Sequence, residues 1–154
     1  MEIVGFVAKG IKDAYFIPDD YRIFLDENSI IAKPSAETVK IYCDSSTRKA
    51  CVVIEGQEPT IISYPKPVTN NVGEYRAVIE ATNIALLLKL KEVEILTDSQ
   101  LVVNQVSGVW KCRKPHLLPF RDKVRDMLLA SKAVLSWIPR EENFAGVVLE
   151  QKRK

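Results

Sequence analysis

Hydrophobic and polar positions alternate with a period of two in the part of the chain that begins at Val39. Three short apolar runs, VKIYCDS, KACVVIE and PTIISYP, are separated by tight connections. Strict alternation over such short runs is typical of half-buried strands, and tight connections favour antiparallel neighbours. We therefore predict a three-stranded meander.

The pattern then changes to a helical period. Beyond the first helix, EVEILTD and AVLSWIP are typical of a fourth and a fifth strand, whereas QLVVNQVSG, PFRDKVRDMLLASK and ENFAGVVLEQK are predicted helices. Asn143 or a neighbour is expected to cap the last helix. A meander followed by alternating helices and strands predicts an α/β fold, a mixed five-stranded sheet flanked by helices. The first helix is predicted from about Val72 to Leu90, with an apolar stripe of Tyr75, Val78, Ile79, Thr82, Leu86 and Lys89.

Residues 1–38 are organised differently. Short alternating runs such as EIVGFVA and YRIFL are separated by the turn-prone segments KGIKD, PDD and DEN. We expect a small β-rich N-terminal extension there, joined through the linker KPSAET to a main domain at residues 39–154. The extension is either an accessory domain or a set of additional strands on the main sheet.

Composition narrows the class of protein. With 47% hydrophobic and 27% charged residues, the 154-residue chain resembles an ordinary globular protein, which excludes wholesale disorder and a fibrous coiled coil. The longest mostly apolar stretch, IALLLKLKEV, is interrupted by Lys89 and Lys91 and is too short to span a membrane. The first residues lack the features of an export signal, so we expect a cytoplasmic protein.

The cysteines point to no covalent or metal framework. Cys43, Cys51 and Cys112 are odd in number, widely spaced and without a Cys-x-x-Cys pair. This argues against disulfides and against structural zinc. We expect them to be small buried apolar residues.

Three carboxylates fall where predicted elements meet. Asp44 ends or interrupts the first strand, Asp98 ends the fourth, and Glu74 lies in the first turn of the helix between them. The first and fourth strands of such a sheet can lie side by side and parallel, which brings the two aspartates together. Because clustered carboxylates repel, a cation is expected among them. An oxygen-only ligand set favours Mg²⁺ or Mn²⁺, and two such ions about 3.5 to 4 Å apart would activate a water and stabilise the leaving oxygen in phosphodiester hydrolysis.

Each carboxylate also has a purely structural interpretation. Glu74 stands three residues after Asn71, a spacing compatible with a capping box. Asp44 and Asp98 are compatible with turn or N-cap positions, because Asp is common where a strand passes into a loop or helix. Their joint placement favours the metal site over three separate structural roles.

Four segments resemble the type 1 ribonuclease H family, over about residues 39–150. IYCDSS is similar to the family's first strand with its metal-binding Asp, and TNNVGEYRAVIEA to the helix start with its metal-binding Glu. ILTDSQLVVNQVSG is similar to the strand and helix around the next Asp, and WIPREENFAG to the turn before the last helix. The resemblance implies a ribonuclease H-like fold and two-metal hydrolysis of the RNA strand of RNA/DNA hybrids, with Asp44, Glu74 and Asp98 as metal ligands.

The resemblance also implies contacts with the hybrid. Asn70, Asn71 and Gln100 are expected at its minor groove, because amide side chains both donate and accept and can read a 2′-hydroxyl without demanding a particular base. Ser45 and Ser99, beside two of the carboxylates, belong to the same expected nucleic-acid-binding set. The alternative is that Asn caps the helix and that Gln is an ordinary solvated helix residue.

The net charge of +2 is unevenly placed. Residues 108–125 contain six Lys or Arg and one Asp, a local charge of +5, so the rest of the chain carries −3. The segment lies where some family members have a basic, Trp-containing feature that grips the DNA strand. Lys111, Arg113 and Lys114 would neutralise phosphates while Trp110 packs on a sugar. The alternative is a helix with a solvated basic face.

The chain departs from the family near the last helix. Four residues after Asn143, where the family has its fourth carboxylate, stands Val147. Glu150 lies on nearly the same helical face and is the candidate for the fourth metal ligand. The loop PREEN has no His, although some members place one there, and the only histidine, His116, falls in the basic segment.

Two functions follow from these observations. The first is a metal-dependent endoribonuclease that acts on RNA/DNA hybrids. The second is a catalytically weakened nucleic-acid-binding module, because the expected fourth carboxylate is missing. A nuclease of the same fold acting on DNA or branched substrates is disfavoured by amide residues suited to a 2′-hydroxyl.

Overall fold

The computed structural model describes residues 38–153 of the chain, with side chains as far as residue 151. The β-rich extension expected over residues 1–38 therefore lies outside the described residues apart from Thr38. Its existence and its boundary with the main domain stay predictions.

The described residues alternate strands and helices in the predicted order. The strands are β1 Val39–Ser45, β2 Lys49–Ile54, β3 Thr60–Ser63, β4 Val93–Thr97 and β5 Val134–Trp137. The helices are α1 Asn70–Leu87, α2 Gln100–Ser107, α3 Leu118–Ser131 and α4 Phe144–Arg153, with single 3-10 turns at Pro115–Leu117 and Arg140–Glu142.

The strands form one mixed sheet in the order β3-β2-β1-β4-β5. β1 and β2 pair antiparallel, as do β2 and β3, which confirms the predicted meander. β1 is parallel to β4, with Tyr42 opposite Leu96, and β4 is parallel to β5. The carboxyl ends of the two central strands consequently meet at the same edge of the sheet, as the sequence predicted.

Side chains of the strands alternate between two apolar layers, one on each face of the sheet. Ile41 and Cys43 of β1 point into the layer shared with α1, α2 and α3. Tyr42 and Leu96 pack on the other face against Leu149 of α4. The sheet is therefore covered on both faces, and each helix is held by burial of its apolar side.

Helix α1 begins and ends earlier than predicted. Thr69 caps its N-terminus, its Oγ1 accepting a hydrogen bond from the Val72 amide at 3.3 Å. Lys89 takes a left-handed conformation with φ 57°, which turns the chain away after Leu87. The predicted apolar stripe is wrong at its end, because Leu86 is only partly buried and Lys89 is exposed. The buried face comprises Gly73, Tyr75, Ala77, Val78, Ala81, Thr82 and Ala85.

The cysteines match the expectation in two cases of three. Cys43 and Cys51 are buried free thiols, and Cys112 is a free thiol that is only partly buried. Burial raises the pKa of the Cys43 thiol well above its ordinary value, and the nearby carboxylates raise it further. Among the described helices, none has the length and apolar character needed to cross a bilayer.

Candidate metal centre

Two aspartates meet where the central strands end. Asp44 is the penultimate residue of β1 and is only 6% exposed. Asp98 directly follows β4. Helix α4 approaches the first of them closely, since a Cβ built on Gly146 would lie 3.0 Å from Asp44 Oδ2. A glycine at that position leaves space around the Asp44 carboxylate that a larger side chain would fill.

Glu74 is brought to the same place by α1. One carboxylate oxygen from each of Asp44, Glu74 and Asp98 lies within 4.8 Å of the others. These residues are 30 and 24 positions apart along the chain. The cluster is therefore a product of tertiary folding, as the parallel pairing of β1 and β4 requires.

The structure contradicts the capping roles that were the alternatives for Glu74 and Asp98. The N-cap of α1 is Thr69 rather than Asn71, so Glu74 is not part of an Asn71 capping box. The N-cap of α2 is Ser99, whose Oγ accepts from the Val102 amide at 3.2 Å, so Asp98 does not cap this helix. Asp44 lies inside a paired strand and not in a turn.

Asn143 connects Asp98 to β1 and to α4. It is fully buried, and its Nδ2 donates to Cys43 O and to Asp98 Oδ2, each at 3.0 Å. Its Oδ1 accepts from the Ala145 amide at 3.2 Å, which confirms Asn143 as the cap of α4. One amide side chain thus fixes the Asp98 carboxylate relative to the strand that carries Asp44.

Glu74 is electrostatically unsatisfied. Its pKa is raised to about 8, first by burial and then by the charges of Asp44 and Asp98, which the charge of Arg140 partly opposes. Its Oε1 is buried and accepts no hydrogen bond within the described residues. A buried carboxylate oxygen without a donor is costly, so the site favours either a proton or a cation at Glu74.

The donor set fits a hard divalent cation. The three clustered residues offer only carboxylate oxygens, the ligands that Mg²⁺ and Mn²⁺ prefer, and the cluster has neither His nor Cys side chains as ligands. The orphaned Glu74 Oε1 is compatible with such an ion. Asp44, Glu74 and Asp98 are therefore the residues that would hold it.

These carboxylates open into a cleft of about 460 Å³. Nine of the residues predicted from the sequence to form the site line it, and four do not. Those in the cleft are Asp44, Ser45, Asn70, Asn71, Glu74, Asp98, Ser99, Gln100 and Glu150, and those outside are Trp110, Lys111, Arg113 and Lys114.

The predicted hybrid-binding amides lie at helix starts. Asn70 and Asn71 are the first two residues of α1, and Gln100 is the first residue of α2. Asn70 and Gln100 are exposed, and all three line the cleft. The alternative that Asn caps α1 is wrong, because Thr69 does so.

The two predicted serines use their hydroxyls internally. Ser99 Oγ caps α2. Ser45 Oγ lies 2.6 Å from Ser46 O and 2.8 Å from the Tyr64 hydroxyl. Both residues border the cleft, yet these hydroxyls already have partners within the protein.

The first three basic residues of the segment after α2 do not lie in a helix. Residues 109–114 form an irregular connection, so the alternative of a basic helical face is wrong for Lys111, Arg113 and Lys114. All three are exposed, and Trp110 is 44% exposed. Arg125 on α3 donates to Val106 O at 2.9 Å, which ties α3 to the end of α2 just before this connection. This surface is distinct from the cleft.

Helix α4 turns a different residue toward the cleft than the family pattern predicts. Val147 is 46% exposed and does not line the cleft. Gly146, Leu149 and Glu150 do line it. The acidic residue that α4 presents on the cleft side is therefore Glu150, although it does not belong to the three-carboxylate cluster.

Sequence reasoning missed Arg140. It is the one cation lining the cleft within residues 38–151, and its charge acts on Glu74. The available signal was its place in the loop PREEN, directly before the last helix. No sequence pattern pointed to Tyr64, which contacts Ser45 from the end of β3.

A mixed sheet of this order, with carboxylates gathered where β1 and β4 end, defines a ribonuclease H-like α/β domain. The family described as reverse transcriptase-like matches residues 37–149. The chain belongs to this family of ribonuclease H-like proteins.

Relatives of known identity agree with this assignment. The Bifunctional protein Rv2228c of Mycobacterium tuberculosis is 38% identical over 76 residues, 49% of this chain and 21% of that protein. Ribonuclease HI of Halobacterium salinarum is 34% identical over 76 residues, 49% of this chain and 38% of that protein. In sequence the match thus spans well under half the length of either relative.

Solved structures match over more of the chain. RNase H1 from Halobacterium salinarum has a TM-score of 0.61 at 28% identity, covering 73% of this chain and 93% of that one. LC11-RNase H1, solved in complex with an RNA/DNA hybrid, has a TM-score of 0.61 at 30% identity, covering 69% of this chain and 88% of that one. Each of these matches covers more than two thirds of this chain.

Proposed function

We propose that this protein is a metal-dependent endoribonuclease that hydrolyses the RNA strand of RNA/DNA hybrids by a two-metal-ion mechanism. The observation that carries the proposal is the cluster of Asp44, Glu74 and Asp98 within 4.8 Å. The unsatisfied Glu74 Oε1 supports a cation there. The names of the relatives support ribonuclease H activity, and the hybrid complex of LC11-RNase H1 supports the substrate class.

The chain's own residues would divide the work as follows. Asp44, Glu74 and Asp98 would hold Mg²⁺ or Mn²⁺, which when bound would supply water activation and positive charge for the leaving oxygen. Asn143 orients the Asp98 carboxylate by donating to its Oδ2. Arg140, on the 3-10 turn before α4, offers a guanidinium that would attract the scissile phosphate into an otherwise acidic cleft.

Substrate selection would come from the amides at the cleft. Asn70, Asn71 and Gln100 would contact 2′-hydroxyls and base edges in the minor groove, because an amide can donate to and accept from the same hydroxyl. The exposed charges Lys111 and Arg113 would neutralise phosphates beyond the cleft, which gives salt-dependent affinity with little sequence preference.

Glu150 would act as a fourth carboxylate. It borders the cleft from α4, whereas Val147, at the family's usual position, does not. A longer side chain one turn further along the helix could reach an ion from there. Glu150 would then support the second ion more than the first, because it lies outside the three-carboxylate cluster.

Cleavage of a labelled hybrid tests the proposed function. Wild-type protein with Mg²⁺ or Mn²⁺ should cut the RNA strand of a hybrid and leave single-stranded RNA and duplex DNA intact. Asp98→Asn should abolish cutting, while Asp126→Asn, on the exposed face of α3, should retain it. Cleavage that is unaffected by Asp98→Asn would contradict the proposal.

A second candidate is a binding module with little turnover. The observation that favours it is Val147 at the position of the family's fourth carboxylate. In that case the protein would bind the hybrid in a salt-dependent manner without cutting it at any concentration of Mg²⁺ or Mn²⁺. Titrating both metals in the same assay separates weak metal affinity from true inactivity.

A further inference from the structure

A hydroxyl pair links the strand that carries Asp44 to the helix that carries Glu74. Ser45 directly follows Asp44, and its Oγ lies 2.8 Å from the hydroxyl of Tyr64. The same Tyr64 hydroxyl lies 3.4 Å from the carbonyl oxygen of Gly73, the residue directly before Glu74. Tyr64 thus contacts the immediate chain neighbours of two of the three clustered carboxylates.

The helix approaches the strand closely at this point. A Cβ built on Gly73 would lie 2.5 Å from Ser45 Oγ, closer than real Cβ atoms come, and 3.1 Å from Ser46 O, which is a tight contact. A larger residue would therefore force Ser45 to shift, and glycine permits this close approach of α1 to the end of β1. The hydroxyl of Ser45 occupies the space beside Gly73 and contacts the hydroxyl of Tyr64.

Tyr64 is itself held firmly on two sides. Its amide donates to Arg48 O at 2.8 Å, which ties it to the hairpin between β1 and β2. The guanidinium of Arg76 lies over its ring, 5.4 Å from the centroid. Its ring packs against the apolar layer beneath α1. The hydroxyl is therefore fixed in place before any ligand binds.

We infer that Tyr64 is a positioning residue that sets the spacing between Asp44 and Glu74 through its hydroxyl contacts with Ser45 and Gly73. The inference rests on the proposed metal centre for its functional meaning. Each hydroxyl has one proton, so Tyr64 either donates to Ser45 or accepts from Ser45 and donates to Gly73 O. We assign the second arrangement, because it joins Ser45 of β1 to Gly73 O of α1 through the hydroxyl that Tyr64→Phe removes.

Mn²⁺ binding measured by calorimetry tests this role with a matched control. Tyr64→Phe removes only the hydroxyl and should weaken Mn²⁺ binding roughly fivefold, the ratio expected for one lost hydrogen bond. Tyr42→Phe makes the same change two residues before Asp44, where the hydroxyl forms no hydrogen bond with the described part of the chain, and should leave the affinity unchanged. Equal affinities of wild type and Tyr64→Phe would overturn the inference.

A double-mutant cycle tests whether the two hydroxyls act as one bond. Ser45→Ala and Tyr64→Phe should each weaken Mn²⁺ binding roughly fivefold, and the double variant should also lose roughly fivefold. A loss near the product of the two, roughly 25-fold, would show two independent effects and contradict the proposed bond. With a hybrid substrate, Tyr64→Phe should lower kcat by more than it raises KM, because it disturbs the spacing of the carboxylates and Ser45 is the one predicted substrate residue that it contacts within the described part of the chain.

Hydrogen exchange without metal separates this inference from the proposed function. If wild-type protein binds no Mn²⁺, the metal centre is refuted, yet the positioning role still predicts faster exchange of the Gly73 and Glu74 amides in Tyr64→Phe than in Tyr42→Phe. Unchanged exchange at these amides would refute the positioning role as well.

Discussion

Raising the pH of the metal-free protein should destabilise it because of Glu74. The pKa of this carboxyl is raised from its ordinary value of 4.5 to about 8, mainly by burial and then by the charges of Asp44 and Asp98. Between these two pH values the folded protein holds a proton that the unfolded chain releases. Stability from this group is therefore complete below pH 4.5 and is lost as the pH rises through 8.

The size of the effect follows from the displacement of the pKa. A difference of one between folded and unfolded pKa corresponds to about 1.36 kcal/mol, so the free energy of unfolding should fall by at most about 5 kcal/mol across this window. For a domain of this size such a loss is large compared with total stabilities of about 5 to 15 kcal/mol. Urea unfolding in EDTA at a series of pH values measures it directly.

Matched variants assign the effect to Glu74. Glu74→Gln removes the titrating group, so its unfolding free energy should vary much less with pH in this window. Glu80→Gln, on the same helix but outside the cleft, should keep the wild-type slope. Adding Mn²⁺ should reverse the wild-type slope, because ions bind the deprotonated carboxylates. Parallel curves for wild type and Glu74→Gln in EDTA would show that Glu74 does not cause the pH dependence of stability.

Three further predictions address other parts of the site. Asn143→Ala should destabilise the protein by about 2 to 4 kcal/mol in urea unfolding, because it removes the α4 cap and leaves Cys43 O without its donor. Glu150→Gln should weaken the second Mn²⁺ roughly tenfold in calorimetry, while Val147→Ala should not. Lys111→Ala should reduce the slope of log affinity for the hybrid against log salt concentration by the amount that about one phosphate contact contributes.

If Asn143→Ala had the same free energy of unfolding as wild type, the hydrogen bonds of Asn143 would make no net contribution to stability. An unchanged second Mn²⁺ affinity in Glu150→Gln would remove it from the metal site. An unchanged salt slope in Lys111→Ala would place the basic segment away from the substrate.

The fold and the carboxylate cluster were accessible from the sequence because they depend on periodicity and strand order. Alternating apolar runs predicted the meander, and the parallel pairing of β1 with β4 then brought Asp44 and Asp98 to one edge. The predicted end of α1 was wrong because the helical period of the sequence continues through Lys89. In the structure the chain turns at Lys89, which has a positive φ. The spacing of apolar residues does not predict the left-handed backbone conformation of a single residue such as Lys89.

The supporting residues were harder to foresee because their roles depend on contacts across the fold. Asn143 was predicted only as a cap, although it also bonds Asp98 across 45 positions of the chain. Tyr64 and Arg140 carry no local signal, since one acts through a hydroxyl bridge to Ser45 and the other through proximity to Glu74. Such residues become visible only once three-dimensional neighbours are known.

Anomalous diffraction from a crystal of the protein grown with Mn²⁺ and an RNA/DNA hybrid would show whether the three carboxylates hold the catalytic ions. We expect two Mn²⁺ peaks about 3.5 to 4 Å apart, bound by oxygens of Asp44, Glu74 and Asp98 and bracketing one phosphate of the RNA strand. No Mn²⁺ peak within bonding distance of these three carboxylates would contradict it.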